Sequence, residues 1–288
     1  MSRRIRVRTK RAQWATSRQA VMKGKPLQYS VAPSSRYQGD MSRLINSMVK
    51  DYEKVFSELN DDFEGFTMDA SFASQTRIWL NRLKRKWDKI FKQKSTEIAD
   101  KFVSQVDIGA KRNLDDSLKQ LSGGITIKTP AMPETLKDKI IASTAENVAL
   151  IKSIPLQFHQ RVESIALRSI SQGGEGAKTL FDEVKPLIDI EKEKLEKRAN
   201  FIAVDQTRKI TTACNYARMK SAGIRKAVWH HSNGSAEPRE LHLELDGKEF
   251  DLDNPLIINK KTGRRGLPGE EPGCKCFWTP VIDFGEET

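Results

Sequence analysis

Ile78, Trp79, Leu83, Trp87, Ile90, Phe91, Ile98, Phe102 and Val106 hold one apolar stripe over many turns, at steps of mostly three and four residues. Only an α-helix lines up residues at that period on a single face. The stripe therefore predicts a long helix from near Asp69 to the Gly123-Gly124 break, with Arg82, Lys84, Arg85, Lys86, Lys89, Lys92 and Lys94 set between the apolar positions. A helix of this kind needs apolar partners to bury its stripe. Trp79, Leu83 and Trp87 read as anchors of that core; base stacking is the alternative, and it requires exposed rings and single-stranded nucleic acid.

The surrounding sequence supplies such partners. From Met41, residues Leu44, Ile45, Met48, Tyr52, Val55, Phe56 and Leu59 repeat the helical period up to a break at Asn60 to Gly65. A further helix is expected from Pro133 through Val148 and Ile151, with Pro155 ending or kinking it, because proline removes a backbone donor and its ring clashes with the preceding turn. Phe158, Val162, Ile165, Ala166 and Ile170 carry the stripe on to Gly173, Gly174 and Gly176. Then come a short helix with Leu180, Phe181 and Val184, and a long one from Asp189 to Ala222 closed by Gly223 as a left-handed cap. On that last helix Gln206 falls on the face of Ile202 and Ile210, and reads as a buried amide tying the helix to the C-terminal segment.

After Gly223 the pattern changes. Ala227 to Trp229 is strand-like, Leu243 to Phe250 sets Asp246-Gly247 between alternating residues as a hairpin signal, Thr262 to Gly273 is a Gly/Pro-rich loop, and Phe277 to Ile282 makes a last short strand. Ile125 to Thr129 alternates as a short strand before Pro130. The fold class is mostly α, an elongated helical body with a small C-terminal α+β cap that contains the Cys and His residues. The expected organisation is a basic extended arm over 1–38, an N-terminal helical region over 39–124, a helical body over 125–222 and the cap over 223–288.

Charge separates the arm from the rest. Residues 1–38 contain ten Lys or Arg and no acid, which leaves 40 basic against 38 acidic residues for the remaining chain. With Pro26, Pro33 and no sustained apolar period, the segment reads as an extended arm that orders on a partner, and Arg3, Arg4, Arg6, Arg8, Lys10 and Arg11 are its candidate contacts to nucleic-acid phosphates or an acidic protein surface. No run approaches the roughly 20 apolar residues of a membrane span, and no apolar stretch follows the basic start as in a secretory signal. Three cysteines, an odd number, agree with a reducing compartment, so the chain is expected to be made in a cytosol with no membrane partner.

The candidate chemistry lies late in the chain. Cys274 and Cys276 flank one residue in P-G-C-K-C, a spacing at which a disulfide would be strained. Two thiols there, joined by His242 and a fourth ligand such as Asp246, His230 or His231, would suit tetrahedral zinc; a reduced, hydrogen-bonded loop is the alternative. His242 and Asp246 are also the nearest thing to an acid-base pair, although Asp246 falls in the expected turn. No phosphate cradle, nucleophile elbow, H-E-x-x-H or paired-carboxylate signature occurs in the sequence. Cys214 reads as packing.

The order D-Q-T (Asp205 to Thr207), A-R-x-x-x-A-G-I (Ala217 to Ile224), a Trp-containing strand, R-x-x-H-x-x-x-D-G (Arg239 to Gly247) and P-G-C-x-C (Pro272 to Cys276) resembles the Mu F-like minor head proteins of tailed bacteriophages, with E-N-V-A-L-I-K-S-I-P (Glu146 to Pro155) as a further likeness. The similarity covers roughly residues 125 to 283. It implies a non-enzymatic virion component of head morphogenesis, present in a few copies inside the head near the portal vertex, binding the portal protein and meeting major capsid or scaffold protein. It also implies departure from the head with the DNA, while the expected contact to double-stranded DNA rests on the cationic arm. Many relatives carry an extra cysteine pair near the position of Glu237 to Glu240, where this chain has Pro238-Arg239-x-x-His242. The rival readings are a nuclease or transferase in the cap and a stand-alone zinc-containing nucleic-acid-binding protein.

Overall fold

The computed structural model describes residues 21–61, 71–121, 129, 132–172, 177–234 and 237–283. Its elements in chain order are β1 (Val21–Lys23), α1 (Val31–Asp61), α2 (Phe72–Leu121), α3 (Glu134–Ser171), α4 (Ala177–Ser221), β2 (Lys226–His230), α5 (Glu240–Glu244), β3 (Glu249–Asp251), β4 (Ile257–Asn259), β5 (Arg264–Arg265) and β6 (Phe277–Asp283). The fold is mostly α with a small C-terminal α+β cap. The short strand expected at Ile125 to Thr129 and the Gly123-Gly124 break lie outside the described residues, save Thr129.

Two compact units are assembled from separated stretches, whereas the boundaries expected at 38, 124 and 222 are sequential. The first holds residues 1–33, 103–143 and 204–288; the second holds 34–102 and 144–203. In the second unit the helical stripes meet, save that Ile78, expected on the stripe of α2, is half exposed. Tyr37, Met41, Ile45, Met48, Tyr52 and Phe56 of α1, Leu80, Leu83, Trp87 and Phe91 of α2, and Ile151, Ile154, Phe158 and Val162 of α3 are all buried. Tyr37 stacks on Phe102 with ring centroids 4.0 Å apart, and Tyr52 meets Phe158 edge-on at 5.0 Å. Trp87 is a core anchor whose indole N–H donates to Asp51 at 3.0 Å, while Trp79 is only half-buried.

Pro155 does not end its helix, and the break expected between Val184 and Asp189 does not occur. α3 runs through Pro155 and α4 through Pro186, so the separate short helix at Leu180 and the long one from Asp189 are a single element. A mid-helix proline costs about 3 kcal/mol. Each large apolar side chain taken from water returns about 1.5–3 kcal/mol, and the buried stripe is unbroken on both sides: Ile151, Ile154, Phe158 and Val162 around Pro155, and Leu180, Val184 and Ile188 around Pro186.

In the first unit a four-stranded antiparallel sheet has the order β1-β6-β2-β3. Trp229 of β2 lies directly opposite Trp278 of β6, and Phe250 of β3 stacks on Trp278 at 6.0 Å, forming a cross-strand aromatic ladder. Part of the expected arm is folded here. β1 pairs with the end of β6, Leu27 is buried, and α1 already begins at Val31, because this stretch brings apolar Met22 and Leu27 to an otherwise unpaired edge of β6. Residues 1–20, with Arg3, Arg4, Arg6, Arg8, Lys10 and Arg11, lie outside the described residues.

The Asp246-Gly247 turn does not close a hairpin. Residues 240–244 form α5, with His242 and Leu245 buried at helical spacing, and Gly247 at φ +76° turns the chain from α5 into β3, whose partner is β2. Alternation in Leu243 to Phe250 was shared between two periods, and burial of His242 selected the helical one.

Candidate metal centre

α4 approaches the cap with a polar face. Asp205, Gln206, Thr207, Arg208, Thr211, Thr212, Asn215 and Arg218 are all buried. Buried polar groups are tolerated only when they find partners, and two residues of this face find them in the Leu267 to Cys276 loop. Asp205 Oδ1 accepts the Gly273 N–H at 2.7 Å, and Thr212 Oγ1 donates to the Pro268 carbonyl at 2.6 Å. Gly269, at φ +88°, passes so close that an added Cβ would lie 3.0 Å from Thr212 Oγ1. Arg208 donates to the Tyr29 hydroxyl at 2.8 Å and lies over that ring. Gln206 is buried as the sequence predicts, and its neighbour Asp205 also ties the helix to the loop.

So anchored, the loop brings Cys274 and Cys276 against His242 of α5. The three ligand atoms lie within 4.8 Å of one another and all three residues are buried. His242 Nδ1 is 3.6 Å from Cys274 Sγ and 3.7 Å from Cys276 Sγ. Zinc bonded to sulfur at about 2.3 Å and to nitrogen at about 2.05 Å in a tetrahedron separates the two donors by about 3.6 Å, so both His–Cys separations suit that ion. The Cys276 thiol donating to the Cys274 sulfur pulls the Cys274 thiol down, and the same contact together with burial pushes Cys276 up. Thiols bind a metal as thiolates, so a metal here would release the protons that these sulfurs carry.

The other edge of the imidazole faces an acid. His242 Nε2 is 3.5 Å from Glu271 Oε2, and Arg239 Nε is 3.6 Å from the same oxygen. Arg239 also donates to the Pro272 carbonyl at 2.8 Å. A carboxylate on the far nitrogen of a ligating histidine fixes its tautomer and orientation. Trp229 meets the His242 ring edge-on at 5.4 Å and completes the apolar side. Sequence reasoning missed Glu271 and this use of Trp229: an acid three residues before a cysteine gives no signal of its own.

The remaining predicted residues stand apart. Asp246 is exposed, and its Oδ1 accepts the His231 backbone N–H at 2.9 Å; it forms no pair with His242 and is not in the ligand group. His230 Nε2 bonds Thr279 Oγ1 at 2.8 Å, stacks on Phe277, and has its pKa lowered by burial. His231 Nδ1 is 3.0 Å from Asn233 Oδ1, and the residue lines, with Glu237, Arg239, His242, Cys274 and Cys276, a cavity of about 200 Å³ on the solvent side of the group. Cys214 is buried packing, its thiol pushed up by burial and then by Asp107.

Residues 160–279 match the family described as phage Mu protein F like protein. The chain carries a phage Mu protein F-like region. That region encloses α4, the polar face, the Cys/His group and β2 to β5. An uncharacterized protein of Haemophilus influenzae is 29% identical over 267 residues, 92% of this chain and 57% of that protein. The NAD(+)–arginine ADP-ribosyltransferase EFV of Enterococcus faecalis is 31% identical over 111 residues, 36% of this chain and 23% of that enzyme. The chain thus spans little more than half of the longer-matching relative and under a quarter of the other. No solved structure matches. Among the described residues no helix is long and apolar enough to cross a membrane.

Proposed function

We propose that the chain is a structural, non-enzymatic component of phage head morphogenesis, carried in the virion at the portal vertex. The observation that carries this reading is the Mu F-like match over the span that builds the Cys/His group. The burial of that group supports it: His242, Cys274 and Cys276 tie the Leu267 to Cys276 loop to α5. Zinc on Cys274, Cys276 and His242, with Glu271 orienting the imidazole, would be a brace for the cap. His231 and Glu237 line the cavity beside the group. Arg3, Arg4, Arg6, Arg8, Lys10 and Arg11, in the basic segment 1–38, meet packaged DNA, and the portal, with major capsid or scaffold protein, is the partner of the folded units.

Mass spectrometry of purified virions tests the reading. The protein is expected at a few copies per particle and should co-purify with portal oligomers from cells lacking the major capsid protein. Absence from virions and from portal complexes would overturn it. The relative with transferase activity supplies a second check: the purified chain should leave NAD+ and arginine-containing peptides unchanged, and turnover of NAD+ would favour the enzymatic reading.

A further inference from the structure

The near-balance of charge outside the arm hides a segregated surface. Between Arg77 and Lys94, α2 carries eight cations and one acid, Asp88. Arg82, Arg85, Lys89 and Lys92, at steps of three, four and three, share one helix face, and all four are exposed. Leu80, Leu83, Trp87 and Phe91 occupy the opposite, buried face. At 1.5 Å per residue the four cations form a row about 15 Å long.

Neighbouring cations are engaged: Lys86 pairs with Asp51 at 2.5 Å and Lys94 with Glu97 at 3.1 Å. Arg82 lies over the Trp79 ring at 4.8 Å. Arg85, Lys89 and Lys92 make no ion pair with any described residue. Like charges three and four residues apart repel on a helix, so the row opposes its own helix and gains from any polyanion laid along it. Ile78 is the one large apolar side chain exposed on this part of α2. A protein interface needs an apolar core and is depleted in lysine; a phosphate backbone needs neither.

We infer that the Arg82–Arg85–Lys89–Lys92 face of α2 is a second, folded contact for the phosphates of duplex DNA, independent of base sequence. The inference rests on the head-assembly reading only for the source of the DNA, and its test uses purified protein, so either can fail alone. Duplex DNA of random sequence is titrated with the full chain at several salt concentrations. Replacing all four cations in R82Q/R85Q/K89Q/K92Q should make the slope of log affinity against log salt shallower by about 3.6, at about 0.9 per phosphate contact. The charge-conserving R82K/R85K/K89R/K92R should keep the slope, since phosphate contacts need charge and not one donor geometry. Single variants R85Q and K92Q, each expected to lower the slope by about 0.9, carry the test if the fourfold variant loses helicity. An unchanged slope in a folded variant overturns the inference, as does binding of poly-glutamate in preference to DNA.

Discussion

Phe91, Phe158 and Val162 fill one unit with side chains that ask only for apolar neighbours, whereas the other unit buries Asp205, Arg208, Thr212, Arg218 and His242 beside its aromatic ladder. The helices of the first kind are long, carry unbroken stripes and tolerate prolines at 155 and 186. The cap has strands of two to seven residues, too short to be held by area alone, and specific ties replace area: Asp205 to Gly273, Thr212 to Pro268, and the Cys/His group. Apolar burial is diffuse, so it absorbs local defects. A polar tie is local, so its loss is felt where it was made.

That contrast is sharpest under a chelator. Structural zinc in small peptides is worth roughly 10–16 kcal/mol, so stripping metal, or Cys276→Ser, should strip amide-exchange protection from β2 and β6 while α1 and the 144–171 part of α3 keep theirs. Elemental analysis should find about one zinc per chain by the donor count. Equal protection with and without chelator would mean that the group is a hydrogen-bonded loop. Glu271→Gln should weaken zinc binding by about 10–100-fold without abolishing it, measured by competition with a colorimetric chelator.

The opposite result is expected in the apolar unit. Phe158→Ala removes a fully buried ring and should cost about 3–5 kcal/mol, seen as a lower denaturant midpoint whether or not chelator is present. Asp205→Ala belongs between the two kinds. It leaves the Gly273 N–H without its acceptor and should cost about 1.5–3 kcal/mol. Its signature is faster exchange at Gly273 and Cys274, with little change in helical circular dichroism.

The same contrast decided what could be read from sequence. A stripe such as Leu83, Trp87 and Phe91 announces its partners by period alone, so the helices were legible, except where proline was given more weight than the stripe around it. His242, Cys274 and Cys276 were legible as donors because cysteine and histidine are scarce here. Their company was not: Asp246 lay in a turn that suited it, and Glu271 looked like any loop acid. The hairpin misreading has the same root. Leu243 to Phe250 fits both a period of two and a short helix, and only the tertiary demand for His242 in the interior separates them.

The smallest expected effect lies back in the apolar unit, where His159 is one of its few buried ionisable groups. Tyr52 Oη is 3.1 Å from His159 Nδ1, and Glu163 Oε2 is 3.5 Å from Nε2. Burial lowers the pKa of His159 from 6.5; Glu163 and Asp88 oppose the shift, and Lys84 adds to it. A depressed histidine is held neutral by folding, so the unfolded chain takes up the proton first as pH falls. The contribution of His159 is therefore fully present above pH 6.5 and is lost as pH drops from there to the lower folded value. Denaturant midpoints at about pH 5 to 8 for the wild type and His159→Gln should converge as pH falls, because glutamine supplies no group that titrates in that range. Parallel curves would show that Glu163 offsets the burial of the ring and that this unit is as indifferent to pH as its apolar interior suggests.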